Sequence, residues 1–214
     1  MTMQLYTYFR SSAAYRVRIA LNLKELKAEH IPVHLVNNGG EQHSETFRQV
    51  NPGELVPALI EDDFTLTQSL SMIEYLEEKF PETPLLPKDL QQRALIRAFS
   101  LNIACDIHPL NNLRVLQYLS KTLSASDEQK TEWYRHWVIT GLKALEAQLT
   151  LSNGQFCFGD QPSLADCCLI PQVYNAKRFN IDLLDFPKIE SIYAHCNSLD
   201  AFQKAAPEAQ PDAA

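Results

Sequence analysis

The spacing of hydrophobic positions changes several times along the first part of the chain, from alternation to helical periodicity and back. In chain order it predicts a strand at "MQLYTYF", a helix over residues 12–24, a strand at "HIPVHLV", a short helix at "ETFRQVN", a hairpin of "LVPALI" and "FTLT", and an amphipathic helix at "QSLSMIEYLEEKF". The polar loop "NNGGEQHSE" separates the second strand from the second helix. The predicted order is therefore βαβαββα, which indicates a small α/β domain.

Strand signals end at "PETPLLP", residues 81–87, a proline-rich stretch that we interpret as a linker between domains. The remaining pattern predicts helices over residues 91–123, with a break at His108-Pro109, and over residues 127–149 and 163–179. The closing "AAPEAQPDAA" has little to bury, so we expect it to be mobile. The fold class is α/β plus all-α, with an α/β domain over residues 1–82 and a helical domain over residues 88–214.

Composition narrows the classes of partner. The chain has 214 residues and a net charge of −7, so it offers no general basic field for nucleic acid or an anionic membrane. No apolar run approaches the ~20 residues of a membrane span, and the first residues lack a signal-peptide pattern. We therefore expect a cytoplasmic protein. An anionic small ligand would need a local cluster of arginines.

Five cysteines are present, and their spacing does not indicate a disulfide framework. Cys167 and Cys168 are adjacent within a helical pattern, which is typical of reduced, buried thiols. Cys105 and His108 could share a helix face, but two ligands alone make a poor zinc site. No metal site is predicted.

The segment "YFRSSAAYRVRIALNLK" combines hydroxyl and guanidinium groups at a helix start. Ser11 and Ser12 follow the first strand, where loose backbone N–H groups and the positive end of the helix dipole favour an anion. A single serine there usually serves only as a helix cap. With Arg10 and Arg16 nearby, the segment also indicates a site for a thiolate or an oxyanion.

Two further segments suggest that an extended ligand binds. In "ELVPALI", a cis Val56–Pro57 bond at a strand edge would turn the Val56 backbone outward to pair with a peptide, and an ordinary edge-strand proline is the alternative. Gln68 and Ser69 begin a helix and could bind a carboxylate or merely cap it. By contrast, Ser163 and Asp166 have the spacing of a structural capping box.

These segments together resemble a cytosolic glutathione transferase, with a thioredoxin-like domain, a proline-rich linker and a helical domain. "SSAAYRVRIALNLK" is similar to the zeta-class signature of two serines, a cysteine, two variable residues and "RVRIAL". That class includes the maleylacetoacetate isomerases, and bacterial maleylpyruvate isomerases are close relatives. The resemblance continues through "DIHPLNNLRVLQYL" and "FGDQPSLADCCLIPQVYNAKRF" and so covers nearly the whole chain.

The resemblance implies a role for each matched position. Ser11 would hold the thiolate of glutathione, with Arg10 and Arg178 as the other catalytic residues and Arg114 as a further candidate. Gln42 would reach the glycine end of the tripeptide. The implied glutathione site comprises Ser11, Ser12, Ala13, Ala14, Tyr15, Arg16, Gln42, Val56, Pro57, Gln68, Ser69, His108, Asn112, Leu113 and Arg114.

One departure from the signature matters. Ala13 stands where the class has its cysteine, so the reactive sulfur has to belong to glutathione. Side reactions that use a protein thiol are therefore in doubt, whereas isomerisation needs only one sulfur nucleophile. His108 stands where some members carry glutamine, and only the histidine can add charge.

The implied activity is the glutathione-dependent cis–trans isomerisation of maleylacetoacetate to fumarylacetoacetate, in aromatic amino-acid catabolism. Maleylpyruvate isomerisation in gentisate-type degradation and general glutathione S-transferase activity remain alternatives, as does a non-catalytic module. The substrate would be a small dicarboxylic 1,3-dicarbonyl compound, which needs at least two arginines for its carboxylates. The family leads us to expect a homodimer.

Overall fold

The structure, a computed structural model, describes residues 3–150 and 152–213. Its internal contacts divide the chain into two compact units. The first unit contains the described residues up to Leu85 together with those from Asn197 onward, and the second unit is Leu86–Cys196. The sequence-based division assigned everything after residue 88 to the helical domain. The structure instead places the last segment with the α/β unit.

The first unit is built on a four-stranded sheet with strand order β2-β1-β3-β4. The strands are β1 (Met3–Thr7), β2 (Glu29–Pro32), β3 (Ala58–Glu61) and β4 (Phe64–Thr67). Strand β1 pairs in parallel with β2 and antiparallel with β3, so that Leu5 lies opposite both His30 and Leu59. Buried and half-buried residues alternate along β1, as expected for a strand with one face on the core.

Nine α-helices occur in the described part of the chain. They are α1 (Ser12–Leu23), α2 (Glu45–Val50), α3 (Ser69–Lys79), α4 (Leu90–Leu101), α5 (Leu113–Lys121), α6 (Asp127–Leu149), α7 (Leu164–Arg178), α8 (Pro187–Asn197) and α9 (Asp200–Ala205). The first three helices and the four strands follow one another in the predicted order βαβαββα, which is confirmed. Between β2 and α2, the predicted polar loop contains two 3₁₀ turns.

A buried ion pair fixes the start of the linker to the first unit. The ammonium group of Lys24 donates to Glu77 at 2.7 Å and to the carbonyl oxygens of Phe80 and Thr83 at 3.0 and 2.8 Å. The Glu77 carboxylate also accepts the N–H of Leu85 at 2.9 Å. Because both charges are buried, each must be satisfied by such partners. This network ties α1, α3 and residues 80–85 together.

The second unit is mainly helical, and its first helical pattern is interrupted as predicted. Helix α4 ends at Leu101 and is followed by a π-helical segment, Asn102–Ile107, and a 3₁₀ turn, His108–Asn111, before α5 begins. Gly141 of α6 makes this possible, because a Cβ there would lie 2.3 Å from the Ile107 side chain. The close approach fixes the segment that leads into His108.

The closing segment is ordered, so the prediction of a mobile tail is wrong for its described residues. After α9, the 3₁₀ turns Pro207–Ala209 and Pro211–Ala213 continue the chain. Phe202 and Ala205 are fully buried. The segment does not need a core of its own, because it packs on the first unit. We call residues 197–213 the return segment.

We find no helix, within residues 3–150 and 152–213, that has the length and apolar character needed to cross a membrane.

Candidate active site

The loop before α1 turns sharply at Ser11. The Ser11 N–H donates to the Tyr8 carbonyl oxygen at 2.9 Å, and the Ser11 Oγ accepts the Ala14 N–H at 3.2 Å. Ser11 is therefore the N-cap of α1 and remains half-buried, while Ser12 is buried. The first turn after it reads "SAAY" and so carries no carboxylate to offset the helix dipole. This helix start can accept an external anion.

The two arginines next to this turn have different surroundings. Arg10 is exposed, and its guanidinium group lies 4.8 Å from the centre of the Phe9 ring. Arg16 is 2 % exposed and donates to the Ser69 Oγ at 3.2 Å. Arg10 is thus placed to reach a ligand in solvent, whereas Arg16 joins the start of α1 to the start of α3.

Ala13, Ala14 and Tyr15 were predicted to line the glutathione site. Ala13 is half-buried, but Ala14 and Tyr15 are almost fully buried. Their side chains form part of the core of the first unit, so any contact of these two residues with a ligand has to come from the backbone.

The segment before β3 contains a cis Val56–Pro57 peptide bond, as one of the two sequence-based alternatives proposed. Val56 is buried in a cluster with Tyr8, Phe9, Val33 and Phe47. Among the hydrogen bonds of the described residues, none involves the backbone N–H or C=O of Val56. Both groups can therefore pair with an extended ligand, as an added strand would.

Gln68 and Ser69, the next predicted contacts, lie at the start of helix α3. Gln68 is exposed and has φ 71° and ψ 116°, a conformation that a residue with a side chain rarely adopts. Its side chain makes no capping hydrogen bond. Ser69 is buried and its hydroxyl accepts from Arg16. The strained backbone directs the first turn of α3 without using the Gln68 amide, which stays available for a ligand.

Gln42 lies at the end of a short hydrogen-bonded chain. Its Nε2 donates to the His43 Nε2 at 3.0 Å, and the His43 Nδ1 donates to the Glu54 carboxylate. Arg48 also donates to Glu54, at 2.7 Å, and these hydrogen bonds from His43 and Arg48 lower the pKa of Glu54. Within the described residues the Gln42 Oε1 is buried without a partner. Gly40 leaves space for this amide, since a Cβ there would lie 2.5 Å from it.

The remaining predicted site residues lie in the second unit. His108 opens the 3₁₀ turn before α5, and Asn112 caps α5 by accepting the Arg114 N–H at 3.1 Å. Leu113 is half-buried and Arg114 is exposed. Arg178 ends α7 and is exposed, with its guanidinium group 4.8 Å from the centre of the Phe179 ring.

A second serine-capped helix start has a different design. The fully buried Asp166 accepts the N–H of Cys157 at one carboxylate oxygen and both the N–H and Oγ–H of Ser163 at the other, each at 2.8 Å. Burial raises the pKa of Asp166, and these hydrogen bonds oppose that rise. The capping box predicted at Ser163 is therefore confirmed as an internal, structural feature.

Most of the cysteines lie in the interior of the protein. All five are free thiols, and four of them are buried. Burial raises the pKa of the Cys157 and Cys167 thiols, which makes their thiolates harder to form. The described residues contain no group of three or more histidine, cysteine or acidic side chains that could hold a metal ion.

The sequence reasoning missed two residues that contact the loop before Ser11. Arg18 is almost fully buried and donates to the carbonyl oxygens of Tyr8 and Phe9, and Asp212 accepts the Phe9 N–H. The burial of Arg18 could have been predicted, because its spacing places it on the same helix face as the apolar residues Ala14 and Leu21. No comparable signal marked Asp212.

Family comparison agrees with this architecture. The model of the glutathione S-transferase N-terminal domain matches residues 5–84, and that of the C-terminal domain matches residues 138–197. The chain belongs to the glutathione S-transferase family.

Within that family, its full-length similarity is to zeta-class isomerases. It is 51% identical to a probable maleylacetoacetate isomerase of Vibrio cholerae over 213 residues, which cover 100% of this chain and 99% of that protein. A holo structure of maleylpyruvate isomerase, a bacterial zeta-class enzyme, has a TM-score of 0.95 at 45% identity, covering 99% and 100% of the two chains. A maleylacetoacetate isomerase structure from Methylobacterium extorquens with bound malonate and glutathione has a TM-score of 0.94 at 41% identity, covering 99% of each chain.

Proposed function

We propose that this chain is a glutathione-dependent cis–trans isomerase that converts maleylacetoacetate to fumarylacetoacetate in aromatic amino-acid catabolism. The observation that carries the proposal is the start of α1, where Ser11 caps a helix whose first turn has no acid and Arg10 lies exposed beside it. A relative of 51% identity that is named a probable maleylacetoacetate isomerase supports the choice of activity.

The residues of the first unit fit glutathione. The unpaired backbone groups of Val56 suit the peptide portion of the tripeptide, and the exposed Gln68 amide at the start of α3 suits its α-carboxylate. The buried Gln42 amide has an unsatisfied oxygen and is the candidate contact for the glycine end. In the second unit, His108 and the start of α5 are the further candidate contacts.

Glutathione would supply a thiolate that adds to the conjugated cis double bond, allows rotation about it, and leaves once the trans alkene has formed. Ser11 can donate its hydroxyl hydrogen to that sulfur while its oxygen still accepts the Ala14 N–H. Together with the helix dipole, this donation lowers the thiol pKa toward neutrality. Because Ala13 replaces the signature cysteine, no protein thiol competes at this position.

Arginines would bind the substrate and stabilise the enolate that develops in the reaction. Arg10 is the first candidate because it adjoins Ser11 and is exposed, and Arg178 is the second, at the exposed end of α7. The Methylobacterium relative has been solved with bound malonate, a small dicarboxylate, and glutathione, which supports a dicarboxylic substrate. The proposed substrate is accordingly a dicarboxylic 1,3-dicarbonyl compound.

Maleylpyruvate isomerisation is the second candidate, favoured by the likeness to the zeta-class maleylpyruvate isomerase structure. The two substrates share the cis-enedioate end and differ in chain length. A homodimer and a cytoplasmic location complete the proposal, and the free, buried thiols support a reducing compartment.

The test is a side-by-side assay of purified maleylacetoacetate and maleylpyruvate with glutathione, together with conjugation of an apolar electrophile. We expect Arg10→Ala to lower kcat/KM for the preferred cis acid by about 10²-fold, because an enolate-stabilising charge is lost. Conjugation should be unaffected, since an apolar electrophile needs no arginine. Arg135→Ala, which removes a guanidinium group that donates to the Asn180 carbonyl oxygen, is the matched control.

Turnover of the electrophile alone would make the protein a general transferase. Absence of any saturable glutathione complex in calorimetry would overturn the enzyme proposal altogether.

A further inference from the structure

We propose that Asp212, on the return segment, is a positioning residue that holds Phe9 so that Ser11 and Arg10 face the bound sulfur and the substrate. The inference rests on the proposed function, because it assigns a role to Asp212 in that same site.

The return segment is anchored to the first unit well before Asp212. The Arg18 Nε donates to the Ala205 carbonyl oxygen, and the Asn22 side chain donates to the Ala201 carbonyl oxygen, both at 2.9 Å. Phe202 is fully buried nearby in the sequence. Loss of the Asp212 carboxylate would therefore leave helix α9 in place, and its effect would be local.

Phe9 is held at both of its backbone polar groups. Its N–H donates to the Asp212 Oδ2 at 2.9 Å, and its carbonyl oxygen accepts from the Arg18 Nη2 at 2.9 Å. The Tyr8 carbonyl oxygen accepts from both Arg18, at 3.3 Å, and Ser11, at 2.9 Å. The turn that presents Ser11 is thus held by the Asp212 carboxylate and by the Arg18 guanidinium group, which come from different parts of the chain.

The Asp212 carboxylate also interacts electrostatically with a buried guanidinium group. Burial lowers the pKa of Arg18 to about 10, and the charges of Tyr15 and, to a smaller extent, Asp212 oppose that change. His30 of β2 faces the same groups, and burial and the charge of Arg18 lower its pKa, which Gln210 and Asp212 oppose. The hydrogen bond to the Phe9 N–H is separate from this electrostatic effect, and an uncharged side-chain oxygen could also accept it.

From Phe9 the contacts extend to the proposed catalytic residues. The Phe9 ring lies under the Arg10 guanidinium group, and it packs in the cluster that includes Val56. Ala213, the neighbour of Asp212, packs against the same cluster. A shift of Phe9 would consequently move Arg10 and the turn before Ser11, and a displacement of about 1 Å is enough to slow a reaction substantially.

The test compares Asp212→Ala and Asp212→Asn with the wild type in the full chain with glutathione. The first readout is the pKa of the bound thiol, followed by the ultraviolet absorbance of the thiolate against pH, and the second is isomerase kcat/KM. We expect Asp212→Ala to raise the thiol pKa and to lower kcat/KM about tenfold. Asp212→Asn should restore most of both, because its amide oxygen can still accept the Phe9 N–H.

Asp200→Ala is the matched control. Asp200 is an exposed aspartate of the same segment whose carboxylate pairs with Lys204 at 3.0 Å and does not hold the loop before Ser11. This variant should match the wild type in both readouts, although it removes the same charge from the return segment.

Three results would overturn the inference. Asp212→Ala could change only the melting temperature, which would make the residue structural. Asp212→Asn could behave like Asp212→Ala, or both variants could lower the thiol pKa, which would show that charge rather than position matters. Absence of a bound thiolate in the wild type would instead overturn the proposed function, and this inference with it.

Discussion

Two serine-capped helices of this chain have opposite designs. Ser163 starts α7 and is joined in its capping box by Asp166, whose carboxylate is buried and fully engaged by the chain itself. Ser11 likewise caps α1 with its side-chain oxygen, but the position that corresponds to Asp166 is Ala14. One helix start is neutralised internally, and the other leaves its positive end to an external partner.

The difference shows that the capping serine alone does not identify a binding site. A serine hydroxyl satisfies one N–H in either case, and the residue three positions further on decides whether the remaining donors have an internal acceptor. Arg10 adds positive charge directly before Ser11. The residue at the corresponding position before Ser163 is Pro162, which is uncharged. The open start is the more promising anion site on both counts.

The largest effect should come from removing the serine at the open start. We expect Ser11→Ala to lower isomerase kcat/KM about 10³-fold and to raise the pKa of the bound thiol, because the hydroxyl donor is lost. Ser163→Ala should lower the free energy of unfolding by ~1 kcal/mol, which is typical of a lost helix cap, and should leave kcat/KM unchanged. Stopped assays and thermal melts of the two variants measure both effects. Equal activity losses would erase the distinction between the two helix starts.

A smaller effect is expected from opening the closed start. Asp166→Ala leaves the buried N–H groups of Cys157 and Ser163 without an acceptor, and we expect a loss of about 3 kcal/mol in the free energy of unfolding. Activity at low temperature should remain. Denaturant unfolding provides the measurement, with Asp127→Ala as control, since Asp127 is also a first-turn acid but is highly exposed. If Asp166→Ala lost glutathione binding but not stability, the structural role of Asp166 would be contradicted.

The smallest effect should follow from adding an acid to the open start. Ala13→Asp places a carboxylate in the first turn of α1, where it would compete with the thiolate for the helix dipole. We expect glutathione to bind about tenfold more weakly, by calorimetry, while the melting temperature is unchanged or slightly higher. Ala13→Asn has the same shape without the charge and should bind nearly as the wild type does. Unaltered affinity in the aspartate variant would show that no anion lies at this turn.

Much of the fold followed from local signals. The order βαβαββα and helix α6 could be predicted because strong periodicity and clear caps, such as Ser126 at the start of α6, are properties of short segments. The anion site at the start of α1 could also be predicted, because Arg10, Ser11 and a first helical turn without an acidic residue follow one another in the sequence.

What the sequence did not reveal depends on contacts between distant segments. "AAPEAQPDAA" has no large apolar side chains, so its order depends on partners such as Arg18, nearly two hundred residues earlier. The π-helical segment before His108 requires the bare Cα of Gly141 against Ile107, a match that no single window contains. Asp212 reads as an ordinary surface acid until the Phe9 N–H is found beside it.

Gln68 carries one more consequence, for engineering rather than for chemistry. Its backbone angles would suit glycine, and a side chain held there costs about 1–3 kcal/mol. A selection for heat resistance alone would therefore favour glycine at this position, at the expense of the amide that the ligand is proposed to use. The affinity of thermostable variants of this protein for the tripeptide should therefore be measured before they are used.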